Sequence, residues 1–204
     1  MSPLRYVKVI GALCVRKQKD RDMKSTNACR LAVTTFLLAS VATTARSETV
    51  MDIEYLPSGD YESAFGAGAY QFKREGVGFY GNFQITLADR EPEYSSLNIS
   101  SFGDPVTDRY KEIMIFNLGV TKQVASNIGG YAGAGYASVT GVAQKNDPMN
   151  ILAGDGKYYV DDPANNESGA NFNAGIVFWM EKIAFNIGYH SFASSTYFGI
   201  GGRF

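Results

Sequence analysis

His190 is the only histidine in the 204 residues, and Ser191 and Ser194 follow it closely. An imidazole beside a hydroxyl can serve as base and nucleophile, provided that an acidic group orients the ring. The spacing works against that use. Ile183, Phe185, Ile187 and Tyr189 alternate with Ala184, Asn186, Gly188 and His190. On a strand of that period, Ser191 points away from His190. Ser194 shares its side only if the strand continues that far. No Asp or Glu follows between residue 183 and the last residue, Phe204. His190 is the single catalytic candidate, and a histidine hydrogen-bonded to neighbouring Asn or Tyr is the plainer reading of it.

Other constellations point no further. Gly154-Asp155-Gly156 and Asp161-Asp162 offer acids without the alternate-position ligands of a calcium loop. The run Gly129-Gly130-Tyr131-Ala132-Gly133-Ala134-Gly135 lacks the Lys-Ser/Thr ending of a phosphate loop. Cys14 and Cys29 both precede the body of the chain, which leaves that body no disulfide or thiolate ligand. No metal and no cofactor is expected. From Glu48 onward, ten Lys and Arg face eighteen Asp and Glu, a net charge of −8. That balance argues against nucleic acid, whose phosphates require basic surface.

The elements that carry these residues are strands. Residues 77–88 set Val77, Phe79, Phe83, Ile85 and Leu87 against Tyr80, Asn82, Gln84 and Thr86. Residues 109–123 set Met114, Phe116, Leu118 and Val120 against Ile113, Ile115, Asn117 and Thr121. Residues 129–143 form a Gly/Ala/Tyr strand. Residues 170–180 set Phe172, Ala174, Ile176, Phe178 and Met180 against Asn171, Asn173 and Gly175. Residues 48–56, 61–72 and 183–191 supply three more, and the closing strand sets Phe198, Ile200 and Phe204 against Tyr197, Gly199, Gly201 and Arg203. Eight strands result. Tight turns at Lys73–Gly76, Ala125–Ile128 and Glu181-Lys182 alternate with longer links, of which 89–108 and 144–168 are the longest. Pro57, Pro92, Pro105, Pro148 and Pro163 all fall in the longer links, as expected where every strand must donate to a neighbour.

The alternation predicts an all-β, eight-stranded antiparallel up-and-down transmembrane β-barrel, with tight turns on one rim and loops on the other. Its lumen-facing polar residues are expected to be Asn82, Gln84, Asn117, Asn171, Asn173, Asn186, His190 and Arg203. A hydrogen-bonded plug is the expected filling, because eight strands leave room for little more than side chains. Tyr61, Phe72, Phe79, Tyr110, Trp179, Tyr189 and Phe204 are expected at the interfacial girdles. Alternation alone leaves a soluble, lipocalin-like barrel with its apolar face inward as a further reading.

The leader completes the outline. Lys24 and Arg30 precede the apolar run 31–42, and Ala42 or Ala45 offers a small-residue cleavage point. Residues 23–45 therefore read as a cleaved N-terminal signal peptide, residues 1–22 as an upstream extension before a start at Met23, and residues 46–204 as the barrel. Together these features resemble the small outer-membrane barrels of Gram-negative bacteria, of the OmpA, OmpX and opacity-protein type. The resemblance implies residence in the cell outer membrane, among outer-membrane lipid and lipopolysaccharide. It also implies that Phe198, Ile200 and Phe204 act as the signal read by the barrel-assembly machinery. The expected role is non-enzymatic: a surface-exposed envelope or adhesion-type protein meeting a host or extracellular ligand through loops 89–108 and 144–168. The alternatives are a narrow porin-like channel and, by a loose resemblance to lipid A deacylases, a barrel enzyme with His190 as base.

Overall fold

The computed structural model describes residues 47–87, 103–149 and 156–204. The leader and the segments 88–102 and 150–155 lie outside the described residues. So do the expectations that fall on them: the signal peptide, Pro92 and Asp155.

Among the described residues nine strands follow one another: β1 (Ser47–Leu56), β2 (Ala64–Lys73), β3 (Gly78–Thr86), β4 (Val106–Ala125), β5 (Ile128–Asn146), β6 (Lys157–Asp161), β7 (Glu167–Met180), β8 (Ile183–His190) and β9 (Ser195–Arg203). All except β6 join one closed antiparallel sheet, in which each strand pairs with its sequence neighbours and β5 pairs with β7. Closure is made by β1 and β9, in register from Val50 opposite Arg203 to Tyr55 opposite Phe198. The Phe204 N–H donates to the Thr49 carbonyl at 2.8 Å, and the Thr49 N–H returns the bond at 3.2 Å. The barrel thus has eight strands and no free edge along its closed length, so its backbone polar groups are satisfied within the sheet.

One rim carries only tight connections. Gly76 (φ 90°) and Glu181 (φ 48°) adopt the left-handed backbone that such reversals require, and Ser126-Asn127 alone link β4 to β5. The side chains sort by parity. Ile53, Phe79, Phe172 and Ile200 point outward and remain 58–67% exposed, whereas Asn82, Asn117, Asn171 and Asn173 point inward and are buried. An apolar exterior around a polar interior is the arrangement that lipid requires, and the reverse of a soluble barrel's. The lipocalin-like reading is therefore set aside, and the strands are transmembrane.

β4 and β5 are longer than their alternation predicts. Both continue into stretches that read as loop, and β6 forms within the expected loop 144–168, pairing only with the end of β5. β3 accompanies β4 only as far as Met114, and β7 accompanies β5 only as far as Val139. Beyond those points the two strands leave the closed sheet, where the Glu62 N–H donates to the Lys111 carbonyl at 2.9 Å. There Thr107, Asp108, Arg109, Lys111 and Glu112 place polar groups on both faces. A strand surrounded by water can do so, whereas the two-faced pattern used to recognise strands belongs to lipid contact. Crossing a bilayer takes roughly 9–11 residues, so about half of the 20-residue β4 projects.

The belt yields a measurable consequence. Ile53→Lys places a charge at mid-strand among Ile200 and other apolar side chains, and is expected to cost ~2–4 kcal/mol in denaturant titrations of the vesicle-inserted protein. Thr107→Lys, on the projecting hairpin, is expected to change stability little in the same titration.

Candidate functional site

Inside the barrel, three layers of side chains fill the cross-section. Toward the tight-turn rim, Val50, Phe72, Val177, Trp179 and Ala184 form an apolar floor, with the Phe72 and Trp179 ring centroids 4.9 Å apart. Phe72 and Trp179 thus turn inward, a correction to their expected place in a lipid girdle. Both fall on the inward parity of their strands, which decides their side regardless of their apolar character. Toward the loop rim, Leu56, Ala64, Ile113, Ala137, Val139 and Ala193 form an apolar ceiling. Tyr61 and Phe192 pack against it, their centroids 6.2 Å apart.

The middle layer is polar and is organised around two carboxylates on β1. Glu54 is fully buried and Asp52 is 5% exposed. Neither meets a Lys or Arg at mid-barrel among the described residues: the inward Arg203 sits at the rim, with Nη1 3.3 Å from Glu48. Amides and hydroxyls turn their donors to the acids instead. Gln84 Nε2 donates to Glu54 Oε2 at 2.6 Å, Asn82 Nδ2 donates to both Glu54 oxygens at 3.0 and 3.3 Å, and the Tyr70 hydroxyl also donates to Glu54. Asn186 Nδ2 donates to Asp52 Oδ2 at 2.9 Å.

Two arms lead back from Glu54 to a common origin. Asn171 Nδ2 donates to Asn117 Oδ1 at 2.8 Å, and Asn117 Nδ2 donates to Asn82 Oδ1 at 2.9 Å. Asn171 Nδ2 also stands 3.0 Å from His190 Nδ1, and His190 Nε2 stands 3.1 Å from Gln84 Oε1. Because Asn171 donates, His190 accepts at Nδ1 and carries its proton on Nε2, from which it donates to Gln84. A third arm runs from Asn173 through the Tyr197 and Tyr131 hydroxyls, 2.6 Å apart, to Asn186 Oδ1 at 2.8 Å. Every arm ends on an acid. Buried carboxylates without cations need such charge-assisted donors to be tolerated.

The tyrosines fit because the opposing strands carry glycine. A Cβ on Gly188 would lie 2.2 Å from the Tyr131 hydroxyl oxygen and 2.5 Å from Tyr197 Cζ. On Gly129 it would lie 2.1 Å from Phe72 Cε1.

His190 consequently sits in a structural setting. It is fully buried, its imidazole stacks on Tyr197 at 4.3 Å, and both ring nitrogens face amides. Ser191 turns the other way, where its Oγ accepts the Phe172 N–H at 2.8 Å. Asn82, Gln84, Asn117, Asn171, Asn173 and Asn186 share the interior with it, while Arg203 lies apart at the tight-turn rim, 33% exposed. Phe198, Ile200 and Phe204 face outward.

Sequence reasoning missed Asp52, Glu54, Tyr70, Tyr131 and Tyr197. Asp52 and Glu54 alternate with Met51, Ile53 and Tyr55, so two acids on one parity of a strand were the available signal.

Above the ceiling, the projecting hairpin is braced by the chain that follows it. Arg109 approaches Asp162 at 3.5 Å, Lys111 pairs with Glu167 at 2.9 Å, and the Gly141 N–H donates to Asn166 Oδ1 at 2.8 Å. The Tyr158 hydroxyl donates to Asp104 at 2.9 Å. Burial, with the adjoining carboxylate, pushes that phenol up to about 12.

The interior predicts its own sensitivities. Glu54→Gln sets an amide N–H2 against the surrounding donors, and is expected to cost ~1.5–3 kcal/mol in denaturant unfolding. Gly188→Ala is expected to cost ~1–3 kcal/mol through the clash with Tyr131 and Tyr197.

No family model matches this chain, and no curated protein matches it. Among solved structures it is similar to Ail, the attachment invasion locus protein of Yersinia pestis, at 12% identity over 78% of this chain and 99% of that one, with a TM-score of 0.44. It is also similar to Ail in complex with the heparin analogue sucrose octasulfate, at 14% identity over 78% and 99% of the two chains, with a TM-score of 0.45. Likeness at this level bears on neither partner nor activity.

Proposed function

We propose that this chain is a non-enzymatic protein of the Gram-negative outer membrane, sealed to solutes, which acts at the cell surface through its projecting rim. The observation that supports this most is the division of the molecule into a filled barrel and a braced hairpin beyond it. Residues 23–45 serve as the export signal. Outer-membrane lipid and lipopolysaccharide surround the belt, and Phe198, Ile200 and Phe204 engage the assembly machinery. The tight turns face the periplasm. The β4–β5 extension, β6 and loops 89–108 and 144–168 face outward and contact a host or extracellular ligand, in an adhesion-type role.

An apolar floor and ceiling around a hydrogen-bonded middle oppose the flow of ions. A His190 without a carboxylate partner or an exposed face also gives no support to lipid A chemistry. Purified protein in planar bilayers is therefore expected to give no single-channel steps, and stepwise conductance would overturn the sealed-barrel reading.

The surface role is tested by joining Val139 to Glu167, which pair directly across β5 and β7, through a short Gly/Ser turn. This trimmed barrel is expected to keep its heat-modifiable migration, while cells displaying it lose adherence to epithelial monolayers. Adherence equal to that of the full-length protein would contradict a role for the rim.

A further inference from the structure

The described charges divide by rim. Tight-turn residues are Lys73, Arg74, Lys122, Lys182 and Arg203 against Glu48, Glu75 and Glu181. The projecting end has the opposite balance, with Asp104, Asp108, Asp147, Asp161 and Asp162 among its acids. On the basic rim the β2–β3 and β4–β5 turns are neighbours, because β3 pairs with β4. A groove of about 370 Å³ lies between them, lined by Arg74, Gln123, Val124, Ala125 and Ser126. The Arg74 side chain is 77% exposed and pairs with Glu48 at 3.8 Å. Lys73 holds its ammonium 6.0 Å from the centre of the outward Phe79 ring. Val77 and Val124 are 49% and 74% exposed, and lead from the groove to the apolar belt at Phe79 and Val120.

We infer that this groove is a headgroup site for an anionic glycerophospholipid of the periplasmic leaflet. The phosphate pairs with Arg74, Lys73 and Lys122 supply the surrounding positive potential, and an acyl chain lies along Val77, Phe79 and Val120. Continuity with the belt selects a lipid over a soluble anion. A basic rim draws anionic headgroups by roughly one fivefold factor in binding per charge near the surface. The inference rests on the proposed orientation, with the tight turns facing the periplasm.

The test offers detergent-folded protein equal amounts of phosphatidylglycerol and phosphatidylcholine and counts retained lipid by native mass spectrometry. The wild type is expected to retain phosphatidylglycerol preferentially. Arg74→Gln with Lys122→Gln is expected to lower that preference about 25-fold, at about fivefold per charge. Arg109→Gln with Lys157→Gln, the same charge change on the acidic rim, is expected to leave it intact. Equal loss in both double variants, no preference in the wild type, or displacement by inorganic phosphate would each overturn the site. Orientation is scored separately. A Ser126→Cys variant is expected to react with an impermeant maleimide only after the outer membrane is permeabilised. Labelling in intact cells would reject the orientation whatever the lipid result.

Discussion

Two carboxylates without a cationic partner, Asp52 and Glu54, set the terms for the rest of the interior. Removing ionised groups from water is costly unless their lone pairs meet donors, and inside this barrel the donors are all neutral. That requirement gives the interior a direction. Asn171 faces His190 and Asn117, these lead to Gln84 and Asn82, and both arms finish on Glu54. A single reversed amide would set donor against donor, so the network has one consistent orientation.

The apolar floor and ceiling make that network possible. Eight strands enclose a space that side chains alone can fill, and here the filling is graded from Trp179 and Phe72 through the tyrosines to Ile113 and Val139. The central rings are in contact, with Tyr70, Tyr80 and Tyr131 centroids 4.9–5.4 Å apart. Glycine on the facing strands makes room for them. Glycine content that could have meant a wide lumen instead accommodates large neighbours, and the barrel gains solidity from it. The proposed surface role accordingly rests on the projecting rim.

The architecture was largely legible because lipid on one side and polar packing on the other impose a period of two. β8 follows it throughout, and β7 does so from Ala170 onward. Where that constraint lapses, the pattern lapses too. The outermost residues of β4 and β5, 106–108 and 144–146, enter water, lose the two-faced pattern and so read as loop. β6 is short and pairs with a single neighbour, which leaves no signature in five residues. The interior site was half legible. Its asparagines stand out on strands otherwise apolar. The acids lie on β1, where Glu48, Asp52 and Glu54 resemble solvent-facing charge, and Phe72 and Trp179 are hidden by the habit of assigning aromatics to girdles.

The most direct test of the acid-centred interior is the nitrogen-15 NMR signal of His190, the only histidine in the chain. The hydrogen bonds to Asn171 and Gln84 require a neutral ring protonated at Nε2 and bare at Nδ1, with an Nε2 proton that exchanges slowly with solvent because the apolar layers close both ends. A ring protonated at Nδ1, or an Nε2 proton in rapid exchange with water, would contradict it.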